Sequence, residues 1–123
     1  MQNLRMLVVE DDPDGQALVA HILSYMHYQI DVANDGDEAI EYLRQFGSTY
    51  KAIVIDLALP GKNGWDVLAE IQANPETSHI PCLAVTAHHT AKLREETIKA
   101  GFTAYFAKPI DATSFVRQLE NLL

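Results

Sequence analysis

Six residues of this chain are of types that handle cations and phosphoryl groups: Glu10, Asp11 and Asp12 in one run, then Asp56, Thr86 and Lys108. Carboxylates gathered in one cleft repel each other unless a cation joins them. Two unit charges ~4 Å apart cost ~4 kcal/mol at an effective dielectric of ~20. A hard, oxygen-only site with few protein ligands and room for water suits Mg²⁺, and Mg²⁺ in turn invites a phosphoryl group. Lys108 would neutralise one phosphoryl oxygen, and the Thr86 hydroxyl could donate a hydrogen bond to another. That leaves Asp56 as the nucleophile, whose attack on a phosphoryl donor gives an acyl phosphate. Catalysis would then be mostly positioning and charge neutralisation. Apart from the acidic run, these residues are far apart in the chain, so the chemistry needs a fold that gathers them.

The segment Lys51 to Gly64 shows how that is done. Ala52 to Ile55 is an apolar run too short to span a membrane, Asp56 follows it, and Pro60-Gly61 signals a turn. This reads as a buried strand, Lys51 to Asp56, handing one acid to a loop at its carboxyl end, where open α/β sheets bind ligands. The same pattern recurs. Leu4 to Val9 reads as a strand running into Glu10-Asp11-Asp12. Asp12-Pro13 starts a helix, an N-cap acid followed by proline at the first helical position. That helix is expected to reach about His27, with Leu18, Ile22 and Met26 along one side. Tyr28 to Ala33 reads as the second strand. Asn34-Asp35-Gly36 turns the chain into a helix ending near Phe46, with Ala39, Leu43 and Phe46 on one face. After the LPGKNG loop a helix covers about Trp65 to Ala73, and Ile80 to Val85 is the fourth strand. The helix from Ala91 to Ala100 is weakly amphipathic, with Leu93 and Ile98 as its expected anchors and Gly101 as its C-cap. Thr103 to Ala107 is the fifth strand. Asp111 or Thr113 then caps a last helix whose core face is Phe115, Leu119 and Leu122. Strict strand–helix alternation predicts a five-stranded, parallel, doubly wound α/β sheet with helices on both faces. All strands then end at one edge, bringing the acidic run, Asp56, Thr86 and Lys108 together.

Composition narrows the class. The chain has 123 residues, 48% of them hydrophobic, and a formal net charge of −8. One domain, 1–123, with one sizeable core is expected. The negative charge argues against direct binding to nucleic acid or to an anionic membrane. The single cysteine, Cys82, excludes an internal disulfide. With no signal-peptide pattern at the start, this points to a reducing, cytoplasmic setting.

The chain resembles the receiver domains of bacterial two-component response regulators, specifically the stand-alone type. The resemblance rests on VVEDD (Val8 to Asp12), DLALPGKNG (Asp56 to Gly64), VTA (Val85 to Ala87) and AYFAKP (Ala104 to Pro109), and it covers essentially the whole length. It implies the flavodoxin-like strand order 2-1-3-4-5. It also implies that Asp56 is the phosphoacceptor, with Mg²⁺ held by Asp11 and Asp56, by Glu10 through water, and by the backbone carbonyl of Ala58. Lys108 is implied to bind the phosphoryl group, with the bond to Pro109 cis, and Thr86 and Tyr105 to form a switch pair. A phosphoryl group adds ~1.5–2 negative charges. On phosphorylation the face made by helix 4, strand 5 and helix 5 would change for a protein partner. The implied donor is a sensor histidine kinase or a histidine phosphotransfer protein. The downstream effector does not follow from the sequence. With no DNA-binding or catalytic segment after helix 5, output is expected through a protein contact. Asn63 stands where the family often has aspartate. Ala58 carries no group to orient an attacking water and His88 does, so the lifetime of the acyl phosphate is open.

Plainer roles compete at several positions. Asp12 beside Pro13 serves as a helix cap or joins the metal site. Lys108 and Thr86 could be ordinary surface and strand-end residues, and Tyr105 could be core or exposed. His79, His88 and His89 lack a spacing that suits a transition metal, and His21 and His27 read as solvated or edge-packed. Cys82 reads as a buried, inert thiol, and Trp65 as packing close to the active loop. A Mg²⁺ phosphatase with an aspartyl-phosphate intermediate would want a general acid at position 58, which is alanine. A flavin module would want a phosphate loop where Glu10-Asp11-Asp12 would repel it. An inert docking unit would normally have lost Asp56, Lys108 or the acidic pair, and all are present.

Overall fold

The computed structural model describes residues 5–59 and 63–122. Leu4, the expected start of the first strand, and the Pro60-Gly61 turn lie outside the described residues. The elements alternate as expected: β1 (Arg5–Val9), α1 (Pro13–Ser24), β2 (Gln29–Ala33), α2 (Gly36–Phe46), a 3₁₀ turn (Gly47–Thr49), β3 (Tyr50–Asp56), α3 (Gly64–Ala73), β4 (Cys82–Thr86), α4 (Ala91–Ala100), β5 (Ala104–Ala107) and α5 (Ala112–Leu122). The five strands form one parallel sheet in the order β2-β1-β3-β4-β5. Alternate residues of the central strands feed two cores, as the two-residue period of a strand requires. Leu7, Val9, Ile53 and Ile55 pack with Val67, Leu68 and Ile71 of α3. Met6, Val8, Val54 and Val85 pack with Val19 and Leu23 of α1 and with Phe115 and Leu119 of α5.

Side-chain caps start the helices. Asp12 accepts from the Asp14 N–H at 3.3 Å, Asp35 from Glu38 at 2.8 Å, and Thr90 from Leu93 at 3.0 Å. Asn63 and Asp66 form a reciprocal capping box at α3. At α5 the choice between Asp111 and Thr113 falls to Asp111, which accepts from the Thr113 N–H at 3.2 Å. Gly101 closes α4 at φ 119°.

Three expectations need correction. Helix α1 ends at Ser24 rather than near His27, because His27 takes a left-handed conformation at φ 62°. Leu18 is 40% exposed while Val19 and Leu23 are buried. The inward arc of α1 is therefore 19, 22 and 23, an i, i+3, i+4 set of a 3.6-residue period and not a strict spacing of four, and Met26 packs on the same core just past the helix end. In α4, Ile98 is 45% exposed and Thr97 is buried in its place. Thr97 can be buried because its hydroxyl donates to the Leu93 carbonyl at 2.7 Å.

One close approach fixes the end of β3. A Cβ on Gly64 would lie 2.6 Å from the Asp56 carbonyl oxygen and 2.8 Å from the Leu57 Cα. Both are backbone atoms and cannot swing aside. Gly64→Ala should therefore cost about 1–3 kcal/mol of stability despite alanine's better helix propensity. Urea unfolding at equilibrium measures this, and a variant as stable as the parent would mean that α3 is free to retreat from the strand end.

Candidate functional site

The site lies along the carboxyl edge of the sheet, and backbone hydrogen bonds set its corners. The Glu10 N–H donates to Ala33 O at 3.0 Å, extending β1 past its last paired residue. The Leu57 N–H donates to Val85 O at 3.0 Å just after Asp56, and the Lys108 N–H to Thr86 O at 2.8 Å just after β5. Glu10, Asp56 and Lys108 thus leave three strands at nearly the same level. The Lys108–Pro109 peptide is cis.

Lys108 bridges two buried carboxylates. Its Nζ donates to Glu10 Oε1 and, at 3.1 Å, to Asp56 Oδ2. Asp56 Oδ1 accepts from the Ala58 N–H at 2.9 Å. Glu10 is 4% exposed and Asp56 6%. Burial and hydrogen bonding to Asp56 push the Glu10 carboxyl up to about 8, outweighing the pull of Lys108. Burial acts against the Asp56 carboxylate too. There the hydrogen bonds with Glu10, Ala58 and Lys108 win and hold it below the usual carboxylate range. Burial opposes the Lys108 charge, but its two carboxylate partners outweigh that and raise its pKa.

A carboxylate oxygen from each of Glu10, Asp11 and Asp56 can be chosen so that all three lie within 4.8 Å of one another, with Asp11 exposed to solvent. Glu10 Oε2 is buried with no hydrogen-bond partner. An orphaned buried oxygen beside two further carboxylates is what a hard cation would satisfy, and the all-oxygen donor set fits Mg²⁺ better than a softer metal. No histidine or cysteine joins this group among the described residues. Asp12 lies outside it and serves as the α1 cap.

The other residues singled out from the sequence lie as follows. Thr86 is buried at the end of β4, and its Oγ1 accepts from the His88 N–H at 3.1 Å. Tyr105 is half-buried on β5, its hydroxyl 3.0 Å from His89 Nδ1. Trp65 packs edge-on against Phe102 with ring centroids 5.8 Å apart. Cys82 is buried, and burial pushes its thiol up to about 12, as expected for an inert thiol. Two supporting residues had no visible signal in the sequence. Gln16 Nε2 donates to the Glu10 carbonyl at 2.5 Å and to Asn34 Oδ1 at 2.7 Å, tying the end of β1 to α1 and to the loop after β2. Gly15 lies against the Glu10 side chain.

Comparison with known proteins adds likenesses in sequence and fold. The family model for the response regulator receiver domain matches residues 6–120. The regulatory protein VanRB of Enterococcus faecalis is 31% identical over 98% of this chain, which spans 53% of that protein. An uncharacterized 14.6 kDa protein of Leptolyngbya boryana is 28% identical, with 98% of this chain and 91% of that protein covered. Among solved structures, the receiver domain of the sensor histidine kinase PA1611 from Pseudomonas aeruginosa, with a magnesium ion in its active-site cleft, superposes with a TM-score of 0.85. It is 30% identical, over 98% of this chain and 97% of that one. Among the described residues, no helix is long and apolar enough to cross a membrane.

Proposed function

The chain belongs to the response regulator receiver domain family, and from that premise we propose that it is a phosphoryl-accepting switch in a two-component pathway or phosphorelay. The observation that carries the reading is the Lys108 ammonium held between the buried carboxylates of Glu10 and Asp56 at the sheet edge. Asp56 is the phosphoacceptor. Its low pKa keeps it ionised and nucleophilic at neutral pH. The donor is a phosphohistidine on a sensor kinase or phosphotransfer protein. A carboxylate oxygen of Asp56 attacks phosphorus, the P–N bond breaks, and the departing imidazole takes up a proton. Lys108 already touches Asp56, so its charge stands next to the phosphoryl oxygens as they arrive. Glu10, Asp11, Asp56 and the Ala58 carbonyl would hold Mg²⁺, which when bound supplies charge neutralisation for the incoming group.

Thr86 and Tyr105 form the switch pair in this reading. The Thr86 hydroxyl turns toward the new phosphoryl oxygens, and Tyr105 moves inward. The face formed by α4, β5 and α5 then presents a changed surface to a protein effector. The domain acts in the cytoplasm, without direct contact to nucleic acid or membrane. It is a signalling domain that catalyses its own phosphorylation and dephosphorylation, not a metabolic enzyme.

Incubation with acetyl phosphate, followed at once by intact mass, tests this. One phosphoryl group should be gained with Mg²⁺ present, none after chelation, and none in Asp56→Asn. A gain that persists in Asp56→Asn would overturn the assignment of the acceptor.

A further inference from the structure

Glu10 is set apart from the other acids by its neighbour in α1. A Cβ built on Gly15 would clash with Glu10 Oε1, lie 2.9 Å from Cδ and 3.1 Å from Cγ. The Glu10 side chain therefore runs through the space that any other residue at position 15 would fill. That space is the rim of a cavity of about 350 Å³ on the α1 side of the sheet, floored by Val8 and Val54 and walled by Leu18 and Val19. Gln16 holds the Glu10 backbone from the same turn of α1, so the backbone has little freedom to carry the carboxylate elsewhere.

We infer that Gly15 is a positioning residue for Glu10. The two form a matched pair in which the missing side chain at 15 makes room for the long acid at 10. Alanine at position 10, which lacks Cγ, Cδ and the carboxylate, would not need the glycine. The inference rests on the proposed function only where it concerns the cation. The steric match stands apart from it.

A double-mutant cycle with two readouts tests the pair. Gly15 lies inside α1, where alanine is intrinsically the better helix former. With Glu10→Ala in the background, Gly15→Ala should raise Tm by roughly 2–4 °C. With Glu10 intact the same change should lower Tm, because the methyl group displaces the carboxylate from Lys108. This reversal of sign is what the inference demands. A general packing role for Gly15 would give the same sign in both backgrounds and would overturn it.

The second readout is Mg²⁺ affinity, titrated by Trp65 fluorescence or by calorimetry. Gly15→Ala should weaken binding by about 3–10-fold beside Glu10 and by less than about twofold in the Glu10→Ala background. Equal losses in both backgrounds would overturn the positioning role. If the unmodified chain bound no Mg²⁺ and took no phosphoryl group while the Tm reversal held, the proposed function would fall and the pair would stand.

Discussion

Replacing Lys108 by methionine should slow phosphoryl uptake by about 10²-fold or more and cost the metal-free protein about 2–4 kcal/mol at pH 8. Methionine keeps the length of the side chain and removes the charge. Glu10 and Asp56 then face each other with no cation between them, since Lys108 is the group that donates to both. Removing one partner of a buried ion pair is costly because the other is left uncompensated. The cost should change little at pH 5.5, because Glu10 keeps its proton up to about pH 8 beside Lys108 and to higher pH without it. Adding Glu10→Gln to Lys108→Met should recover much of the lost stability without recovering phosphoryl transfer. Urea unfolding at the two pH values and single-turnover mass kinetics with acetyl phosphate measure both effects. If Lys108→Met matched the parent in stability at pH 8, the bridge would contribute nothing and Glu10 would have to be compensated by another group.

The gathering of Glu10, Asp56, Thr86 and Lys108 could be read from the sequence because it depends only on topology. Each acid, hydroxyl or amine follows an apolar run by one or two residues, and parallel strands with right-handed crossovers end at one edge. Nothing about side-chain conformation is needed for that inference. Which groups actually bond is a different matter. That Lys108 pairs with Glu10 as well as Asp56 depends on a rotamer running beneath α1, which depends on a glycine five positions on. No local propensity encodes such a relation, so Gly15 passes in the sequence as an ordinary helix residue.

The misjudged helix faces have the same origin. Leu18 and Ile98 are apolar, yet they point outward, whereas Val19 and Thr97 point in. The rotation of a helix about its axis is set by the sheet beneath it. In α4 the apolar signal is so thin that a threonine satisfied by its own helix is as acceptable inside as an isoleucine. Asp12 shows the reverse case. Its neighbour Pro13 marks a helix start strongly enough that the cap was legible, and the cluster of three acids forms without it.

Without a divalent cation, stability should fall as pH rises from about 5 to 8, and saturating Mg²⁺ should remove that slope. Glu10 carries the argument. Its ordinary carboxyl value is 4.5 and its folded value is about 8. Below the ordinary value both folded and unfolded chains hold the proton, and its contribution is fully present. Across the window between the two values the unfolded chain has released a proton that the folded chain retains, so each rise in pH favours unfolding. Asp56 is shifted downward from 3.8, so its contribution is lost only as pH falls below that value. Lys108 is shifted upward from 10.5, so its contribution is lost only as pH rises beyond that value. Neither crosses the window. A cation takes the place of the Glu10 proton, so binding below pH 8 releases protons, and apparent Kd should fall by up to about tenfold per unit from pH 6 to 8. At a Mg²⁺ concentration of about 100 times Kd the stabilisation is about 2.7 kcal/mol, and at a fixed concentration it grows toward pH 8. Chemical denaturation across pH, with and without Mg²⁺, measures the slope, and Glu10→Gln separates it from the titration of the five histidines. Should the metal-free slope survive in Glu10→Gln, the proton would belong to another group, and Glu10 would be an ionised partner of Lys108 throughout.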